Sequence, residues 1–186
     1  MNDNSAKHLN DPHLSRILIS ETELKQRIAE VGAKISEDYA GREILMVGVL
    51  KGAFLFMADL AREVTVPVQF DFMAVSSYGS ATKTSGVVRI LKDLDIDLAG
   101  RDVLIVEDII DSGLTLSYLL RNLKSRNPAS LTICSLLVKD TIVADELELK
   151  YVGFNIPNEF VVGYGLDVAE RYRNLPFIAI FQENQG

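Results

Sequence analysis

Apolar runs of strand length alternate along this chain with segments of helical periodicity. Three runs are almost continuously apolar, at residues 44–50, 103–106 and 131–138, which is typical of parallel strands covered on both faces. Helical patterns follow the first two, at residues 53–63 and 114–126. The alternation predicts an α/β fold with an open, mainly parallel sheet and helices on both faces. Ligands of such folds bind beyond the carboxyl ends of the strands.

The remaining segments fit one domain. Ser20 and Glu23 form a capping box before an apolar helical pattern that ends near Gly41. Two further strand-like runs flank a small polar loop at residues 79–86. With 186 residues, 48% of them hydrophobic, the chain can bury a sizeable core. We expect a single domain over residues 1–186, with residues 1–16 as a mobile tail.

Scarce side chains exclude several kinds of chemistry. The single cysteine, Cys134, lies in an apolar run, so no internal disulfide can form, and we expect a buried thiol and a cytoplasmic protein. Both histidines, His8 and His13, lie in the predicted tail. This placement argues against a histidine-based triad or a zinc site. General acid–base catalysis then falls to a carboxylate, a lysine or a tyrosine.

Charge and hydropathy bear on the partners. The formal net charge is −7 and no basic stripe is present, which argues against nucleic acid as a partner. No apolar run approaches the roughly 18 residues that a membrane span needs. The first residues lack the apolar core of a signal peptide. These patterns predict no membrane partner, and a phosphate ligand would need local cations or a metal.

The segment 103–115, VLIVEDIIDSGLT, carries the strongest functional signal. A buried strand ends in two adjacent acids, a third acid follows, and Ser112–Gly113 then opens a helix. The free amides of a first helical turn bind anions, and the Ser112 and Thr115 hydroxyls add donors. Glu107 and Asp108 suit ribose hydroxyls, with a divalent cation nearby. The alternative is a solvated acidic turn with a serine cap.

This segment closely resembles the phosphoribosyl-diphosphate signature of type I phosphoribosyltransferases, and EDIIDSGLT is similar to that of the hypoxanthine-guanine enzymes. The resemblance extends from about Ile17 to Phe181. It implies the type I phosphoribosyltransferase fold, with a small hood over the active site formed by residues 145–175 and the N-terminal segment. It also implies that Glu107 and Asp108 hold the ribose and that Asp111 handles the proton at the purine N7. The 5′-phosphate would be held by Asp111, Ser112, Gly113, Leu114 and Thr115.

The same resemblance assigns the pyrophosphate side. Leu50-Lys51-Gly52 is similar to the family's pyrophosphate loop, in which the peptide before the lysine is often cis. Residues 76–86 would form a lid that brings Ser77 and Tyr78 to the pyrophosphate, and Arg173 would contact it as well. Without the resemblance, Lys51 reads as an ordinary surface lysine and the loop as a surface hairpin.

The segment FVVGYGLD, followed by ERYR, resembles the family's purine clamp. Lys139 would donate to O6 of a 6-oxopurine, Phe160 would stack on the base and Val161 would offer backbone groups to its edge. Asp167, beside the base, would bind Mg²⁺ carried by the pyrophosphate, and Glu107 and Asp108 are the other candidate metal ligands. Without this context, an aromatic side chain such as Phe160 is more often part of a core.

The resemblance implies a magnesium-dependent transfer of phosphoribose to hypoxanthine or guanine by a homodimer or homotetramer. One departure is residues 140–143, DTIV, where many relatives carry a basic pair. Two alternatives stay open: a transferase that prefers xanthine or a pyrimidine, and a non-catalytic regulator that keeps the site as a sensor.

Overall fold

The computed structural model describes residues 11–78, 87–111, 113–141 and 149–182. Within these ranges a six-stranded main sheet has the order β4-β3-β2-β5-β6-β7. Neighbouring strands are parallel except β3 and β4, which are antiparallel. The predicted open, mainly parallel sheet is confirmed. Its strands are β2 (Ile44–Leu50), β3 (Val68–Tyr78), β4 (Val87–Lys92), β5 (Asp102–Ile110), β6 (Ser130–Lys139) and β7 (Leu149–Ile156).

Helices cover both faces of this sheet, as the apolar runs predict. The helices are α1 (Glu21–Asp38), α2 (Phe54–Glu63) and α3 (Leu114–Lys124). Successive residues of a strand point to opposite faces, so Met46 packs with α1 and α2 while Val47 packs with α3. The predicted capping box at Ser20 is present at the start of α1.

A second, three-stranded sheet corrects the predicted boundaries of the tail and the hood. It consists of β1 (Leu14–Ile19), β8 (Val161–Val162) and β9 (Ile178–Phe181), in the antiparallel order β1-β9-β8. The prediction of a tail that reaches Arg16 is wrong for its last residues, because β1 pairs with β9 and buries Leu14 in the core of the small sheet. Residues 149–156, assigned to the hood, instead pair with β6 as an edge of the main sheet.

Strand β5 is longer than the apolar run 103–106 indicates. Its pairing with β6 continues through Glu107, Ile109 and Ile110. Glu107 and Asp108 therefore belong to the last part of strand β5 and not to the loop that follows it. Because successive side chains of a strand point to opposite faces, Glu107 and Asp108 lie on opposite faces of the sheet.

Cys134 is completely buried, and burial raises the pKa of its thiol, so the prediction of a buried thiol is confirmed.

In the part of the chain that the structure describes, none of the helices combines the length and the apolar character needed to cross a membrane.

Asp71 is a buried carboxylate that fixes the connection between β4 and β5. It is 5% exposed and accepts hydrogen bonds from the backbone amides of Phe72, Asp95 and Ile96 at 2.7, 2.8 and 2.9 Å. Burial raises the pKa of Asp71, but the amide hydrogen bonds and the nearby Lys92 outweigh this effect. The resulting pKa lies below the ordinary value of 3.8.

Replacing Asp71 with asparagine should lower the free energy of unfolding by about 1–3 kcal/mol at neutral pH, because an NH₂ group replaces one of the two oxygens that accept from the backbone amides. A carboxylate whose pKa is lowered by folding stabilises the protein above its unfolded pKa, and this contribution disappears as the pH falls through the folded pKa. Urea unfolding across acidic pH should therefore bring the two proteins together. The exposed Asp97→Asn variant is the control, and a gap that does not change with pH would contradict the assignment.

Candidate active site

The predicted site residues gather at the carboxyl ends of β2 and β5. These two strands are neighbours, and the strand order changes direction between them, since β3 follows on one side of β2 and β5 lies on the other. Ligands of open α/β sheets bind at such a point. Lys51 and Gly52 directly follow β2, and the peptide Leu50–Lys51 is cis. Glu107 and Asp108 lie in the last part of β5.

Two glycines allow three chain segments to meet here. A Cβ atom on Gly52 would overlap the carboxylate of Asp108, and one on Gly165 would overlap the carbonyl oxygen of Gly52. Gly165 also has a φ of 100°, a conformation that side-chain-bearing residues rarely adopt. The end of β2, the end of β5 and the loop after β8 are therefore in direct contact.

Glu107 and Asp108 are adjacent carboxylates, of which Glu107 is buried and Asp108 is partly buried. Burial, and then the charge of Asp108, raise the pKa of Glu107 well above its ordinary value. Burial also raises the pKa of Asp108, although the amide of Ile109, which donates to Asp108 Oδ1 at 2.8 Å, acts in the opposite direction. Carboxylates in such surroundings are stabilised by hydroxyl donors or a cation. The pair is therefore suited to a ligand that brings either one.

The first cavity lies between the end of β5 and the start of α3, and its volume is about 240 Å³. Gly113, with a φ of 69°, turns the chain into α3, whose first amides lack helical acceptors. Such amides form an anion site. Leu114 is half exposed beside it. The cavity is lined by Val49, Val75, Glu107, Ile109, Ile110, Asp111, Gly113, Thr115 and Leu116.

A second cavity of about 240 Å³ shares Ile109 and Asp111 with the first. The buried Lys139 extends its ammonium group to Asp111, with 2.8 Å between Nζ and Oδ1. Phe160 is 53% exposed, and its ring meets Phe181 edge-on at 5.8 Å. One wall therefore offers an aromatic face and another offers paired charges. The lining consists of Asp108, Ile109, Asp111, Lys139, Glu159, Phe160, Val161, Leu166 and Asp167.

The cationic side of the site is held by carboxylates. Arg173 Nη2 lies 2.8 Å from Asp167 Oδ1, and Arg173 Nη1 donates to the carbonyl oxygen of Gly165 at 2.7 Å. Glu170 contacts both cations, with Oε2 at 3.1 Å from Lys51 Nζ and Oε1 at 3.4 Å from Arg173 Nη2. The hydrogen bond from Lys51, and then that from Arg173, lower the pKa of Glu170.

Sequence reasoning missed Glu170 and Glu159. The available signal for Glu170 was its spacing, three residues from both Asp167 and Arg173 in a segment already assigned to the site. Glu159 directly precedes Phe160, and it lines the second cavity. Arg171, the other arginine of this segment, is exposed.

Some predicted residues lie outside what the structure describes. Ser112 and most of the predicted lid, at residues 79–86, fall in ranges that are not described. The backbone of Ser77 and Tyr78 ends β3 and pairs with Val88 and Val87, but their side chains are also outside the description. The other predicted residues line the two cavities or the adjoining cationic side, apart from Leu114 at the rim.

The carboxylates of Glu107, Asp108 and Asp167 are the candidate metal ligands. Within the described ranges, no group of three or more His, Cys, Asp or Glu side chains is arranged to hold a metal ion. Mg²⁺ commonly uses one or two protein carboxylates and takes its other ligands from water and substrate phosphates. The oxygen donors at this site therefore fit Mg²⁺ that arrives with a phosphate ligand.

Comparisons with known proteins identify the family. The family model for the phosphoribosyl transferase domain matches residues 18–169. A hypoxanthine-guanine phosphoribosyltransferase of Mycobacterium tuberculosis (strain CDC 1551 / Oshkosh) is 60% identical over 171 residues, covering 89% of this chain and 85% of that protein. A hypoxanthine phosphoribosyltransferase of Salmonella typhimurium (strain LT2) is 55% identical over 168 residues, covering 89% and 94%.

A solved structure agrees in both fold and sequence. The crystal structure of a hypoxanthine phosphoribosyltransferase from Staphylococcus aureus superimposes with a TM-score of 0.88 at 43% identity, covering 97% of this chain and 96% of that one. The chain belongs to the phosphoribosyltransferase family, with the type I fold.

Proposed function

We propose that the chain transfers phosphoribose from phosphoribosyl diphosphate to hypoxanthine or guanine, which yields IMP or GMP and pyrophosphate and serves purine salvage. The observation that carries this proposal is the pair of adjoining cavities that share Asp111. One cavity offers an anion site and two poorly solvated carboxylates, and the other offers an aromatic face and a lysine. A sugar phosphate and a base joined at that border fit this arrangement.

The ribose phosphate occupies the first cavity. Glu107 and Asp108 accept hydrogen bonds from the ribose hydroxyls, which relieves the cost of burying two carboxylates. The segment from Asp111 to Thr115, with Ser112, Gly113 and Leu114 between them, wraps the 5′-phosphate with the free amides of the first turn of α3.

The purine occupies the second cavity. Phe160 stacks on the base, and Val161 offers backbone groups to its edge. Lys139 donates to O6 and Asp111 holds the proton at N7. The 2.8 Å contact between Lys139 and Asp111 supports this pairing, because O6 and N7 are adjacent on the same edge of a 6-oxopurine.

The leaving pyrophosphate is held on the cationic side. Lys51, the amide of Gly52 and Arg173 bind it, and Ser77 and Tyr78 approach it from the end of β3. When bound, Mg²⁺ supplies positive charge that stabilises the departing diphosphate. Glu107, Asp108 and Asp167 are the residues that would hold it. One ion pair at about 4 Å contributes roughly 4 kcal/mol at an effective dielectric of 20, so an acidic chain needs several such contacts for a diphosphate.

The proposed reaction uses no histidine as an acid or base. As the bond to pyrophosphate breaks, positive charge develops on the sugar, and the carboxylates and bound anions around it stabilise that charge. N9 of the base then attacks the sugar. Asp111 takes part as the carboxylate that receives or holds the N7 proton, which agrees with the scarcity of histidine in this chain.

The function is tested with purified protein, phosphoribosyl diphosphate and one base at a time. Hypoxanthine, guanine, xanthine and uracil are compared with and without Mg²⁺, and the nucleotide products are separated by chromatography. We expect IMP or GMP only when Mg²⁺ is present. Nucleotide from xanthine or uracil alone would favour the first alternative. A salt-dependent gel shift without any transferase activity would favour a regulator, which the net charge of −7 argues against.

We also propose that the chain forms a homodimer or a homotetramer. Phe54 and Phe70 are 43% and 49% exposed, and both line an apolar groove between α2 and β3. The groove measures about 480 Å³, and its other lining residues are Met57, Ala58, Ala61, Arg62 and Phe72. Exposed apolar surfaces of this kind are commonly protein interfaces, and a second copy would bury both phenylalanines.

Replacing Phe70 with glutamate should shift the protein to monomers, because a symmetric contact would bring two carboxylates into a largely apolar interface. Light scattering coupled to size-exclusion chromatography at about micromolar protein measures the change. The control is Leu91→Glu, which adds the same charge at another exposed apolar side chain, outside the groove lining. An unchanged mass for the Phe70 variant would overturn this interface.

The buried, unpaired Cys134 agrees with a reducing compartment. We therefore expect the cytoplasm to be the site of action. Fractionation of cells that express the full chain, followed by activity measurement, tests this expectation. Activity confined to another compartment would contradict it.

A further inference from the structure

Glu170 places a carboxylate between the two cations assigned to pyrophosphate. It lies in the loop between Asp167 and Arg173, with a φ of 63°. Its backbone amide donates to Asp167 Oδ2 at 2.8 Å. This backbone hydrogen bond holds the residue in place, so its side chain is not needed to form the loop.

The two carboxylate oxygens of Glu170 each face one cation. Oε2 lies 3.1 Å from Lys51 Nζ and Oε1 lies 3.4 Å from Arg173 Nη2. The cations come from separate segments, one after β2 and the other after β8. A bidentate anion therefore bridges them already, in the free protein.

These contacts are weak enough to be exchanged. The side chains of Lys51 and Glu170 are 66% and 63% exposed, and exposed ion pairs contribute little stability. Arg173, in contrast, is largely buried and is also held by Asp167 and by the carbonyl oxygen of Gly165. Removing the Glu170 carboxylate would leave Arg173 in place and free Lys51 for another anion.

We propose that Glu170 competes with pyrophosphate for Lys51 and Arg173, and that the bound diphosphate displaces its carboxylate. This inference rests on the proposed function of the two cations. The carboxylate weakens diphosphate binding in two ways, because its ion pairs must break and its charge then lies near the diphosphate. Its return to the cations favours release of the product.

The competition predicts a tighter complex when the charge is removed. Isothermal titration of Glu170→Gln with pyrophosphate and Mg²⁺ should give a dissociation constant roughly three- to tenfold lower than that of the wild type, since exposed ion pairs have energies of this order. Glu170→Asn, which suits a positive φ, should change it in the same direction. A purely structural role for Glu170 predicts the opposite sign, because loosening the loop would weaken binding.

The matched control is Glu37→Gln. Glu37 forms a similarly exposed ion pair, 3.0 Å from Lys34, near the carboxyl end of α1. This end of α1 leads into the amino end of β2, at the edge of the sheet opposite the site. This variant removes the same charge, and its dissociation constant for pyrophosphate should equal that of the wild type. Equal tightening in both variants would reduce the effect to net charge and overturn the inference.

Activity separates this inference from the function on which it rests. If the wild type forms nucleotide but both Glu170 variants bind pyrophosphate equally well or more weakly, Glu170 does not compete and the inference fails alone. If the wild type neither forms nucleotide nor binds pyrophosphate, the proposed function fails and the inference fails with it. Stronger product inhibition by pyrophosphate in Glu170→Gln, with nucleotide formation retained, is the supporting result.

Discussion

Replacing Asp111 with asparagine should lower kcat by about 10²- to 10⁴-fold, the usual contribution of a positioned general acid or base. Asparagine has nearly the same shape and still offers an oxygen to Lys139 Nζ, which lies 2.8 Å from Asp111 Oδ1. It cannot take up or return a proton. The Michaelis constants for hypoxanthine and phosphoribosyl diphosphate should therefore change much less than kcat. Steady-state kinetics with both substrates varied will measure the two effects separately.

A neighbouring acid supplies the control for this variant. Asp140 follows Lys139 directly, is exposed and lines neither of the two cavities. Asp140→Asn removes the same charge close to the site, and we expect its kcat to stay near that of the wild type. Equal losses in the two variants would show that the local charge matters and the proton does not. A kcat within about threefold of wild type in Asp111→Asn would exclude the proposed role of this residue.

The main sheet could be predicted because burial on two faces leaves a strong pattern in the sequence. In β2, every residue from Ile44 to Val49 is buried, so the strand appears as an uninterrupted apolar run. In β5 the buried residues Val103 to Val106 likewise form an uninterrupted apolar run. Strand ends do not follow this pattern, because backbone pairing with β6 carries β5 through Glu107 and Asp108 regardless of their charge. The sequence therefore places the two acids at the end of the strand, but the apolar run does not show that the strand continues to Ile110.

The small sheet and the cationic side left weaker signals. Strand β1 follows a polar segment and contributes few buried residues, with Leu14 and Ile19 at its ends, so the sequence pattern does not separate its first three residues from the predicted tail. Glu170 lies in a loop where Ala169, Glu170 and Tyr172 all have positive φ. No hydrophobic period describes such a backbone, and charged pairs such as Lys51 with Glu170 join residues far apart in sequence. Only the folded chain reveals which charges meet.

Replacing Gly165 with alanine should lower kcat/KM for phosphoribosyl diphosphate by roughly 100-fold or more, because a displacement of about 1 Å at a reacting site has effects of this size. The new Cβ would overlap the carbonyl oxygen of Gly52, and a backbone atom cannot move aside as a flexible side chain can. The loop that carries Lys51 and Gly52 would have to separate from the segment that carries Asp167 and Arg173. Steady-state kinetics measures the loss in kcat/KM, and pyrophosphate titration measures the loss of binding that this separation causes.

The control for Gly165→Ala distinguishes the overlap from the cost of the backbone conformation. Gly100 has a φ of 71°, and a Cβ added there meets no atom within 4 Å. In both alanine variants the left-handed backbone conformation should lower the free energy of unfolding by about 1–2 kcal/mol, which urea unfolding measures. Only Gly165→Ala also forces the two loops apart, so Gly100→Ala should keep its activity. Similar kcat/KM values in both variants would mean that the contact between Gly52 and Gly165 does not position the cations, and the proposed pyrophosphate site would lose its structural basis.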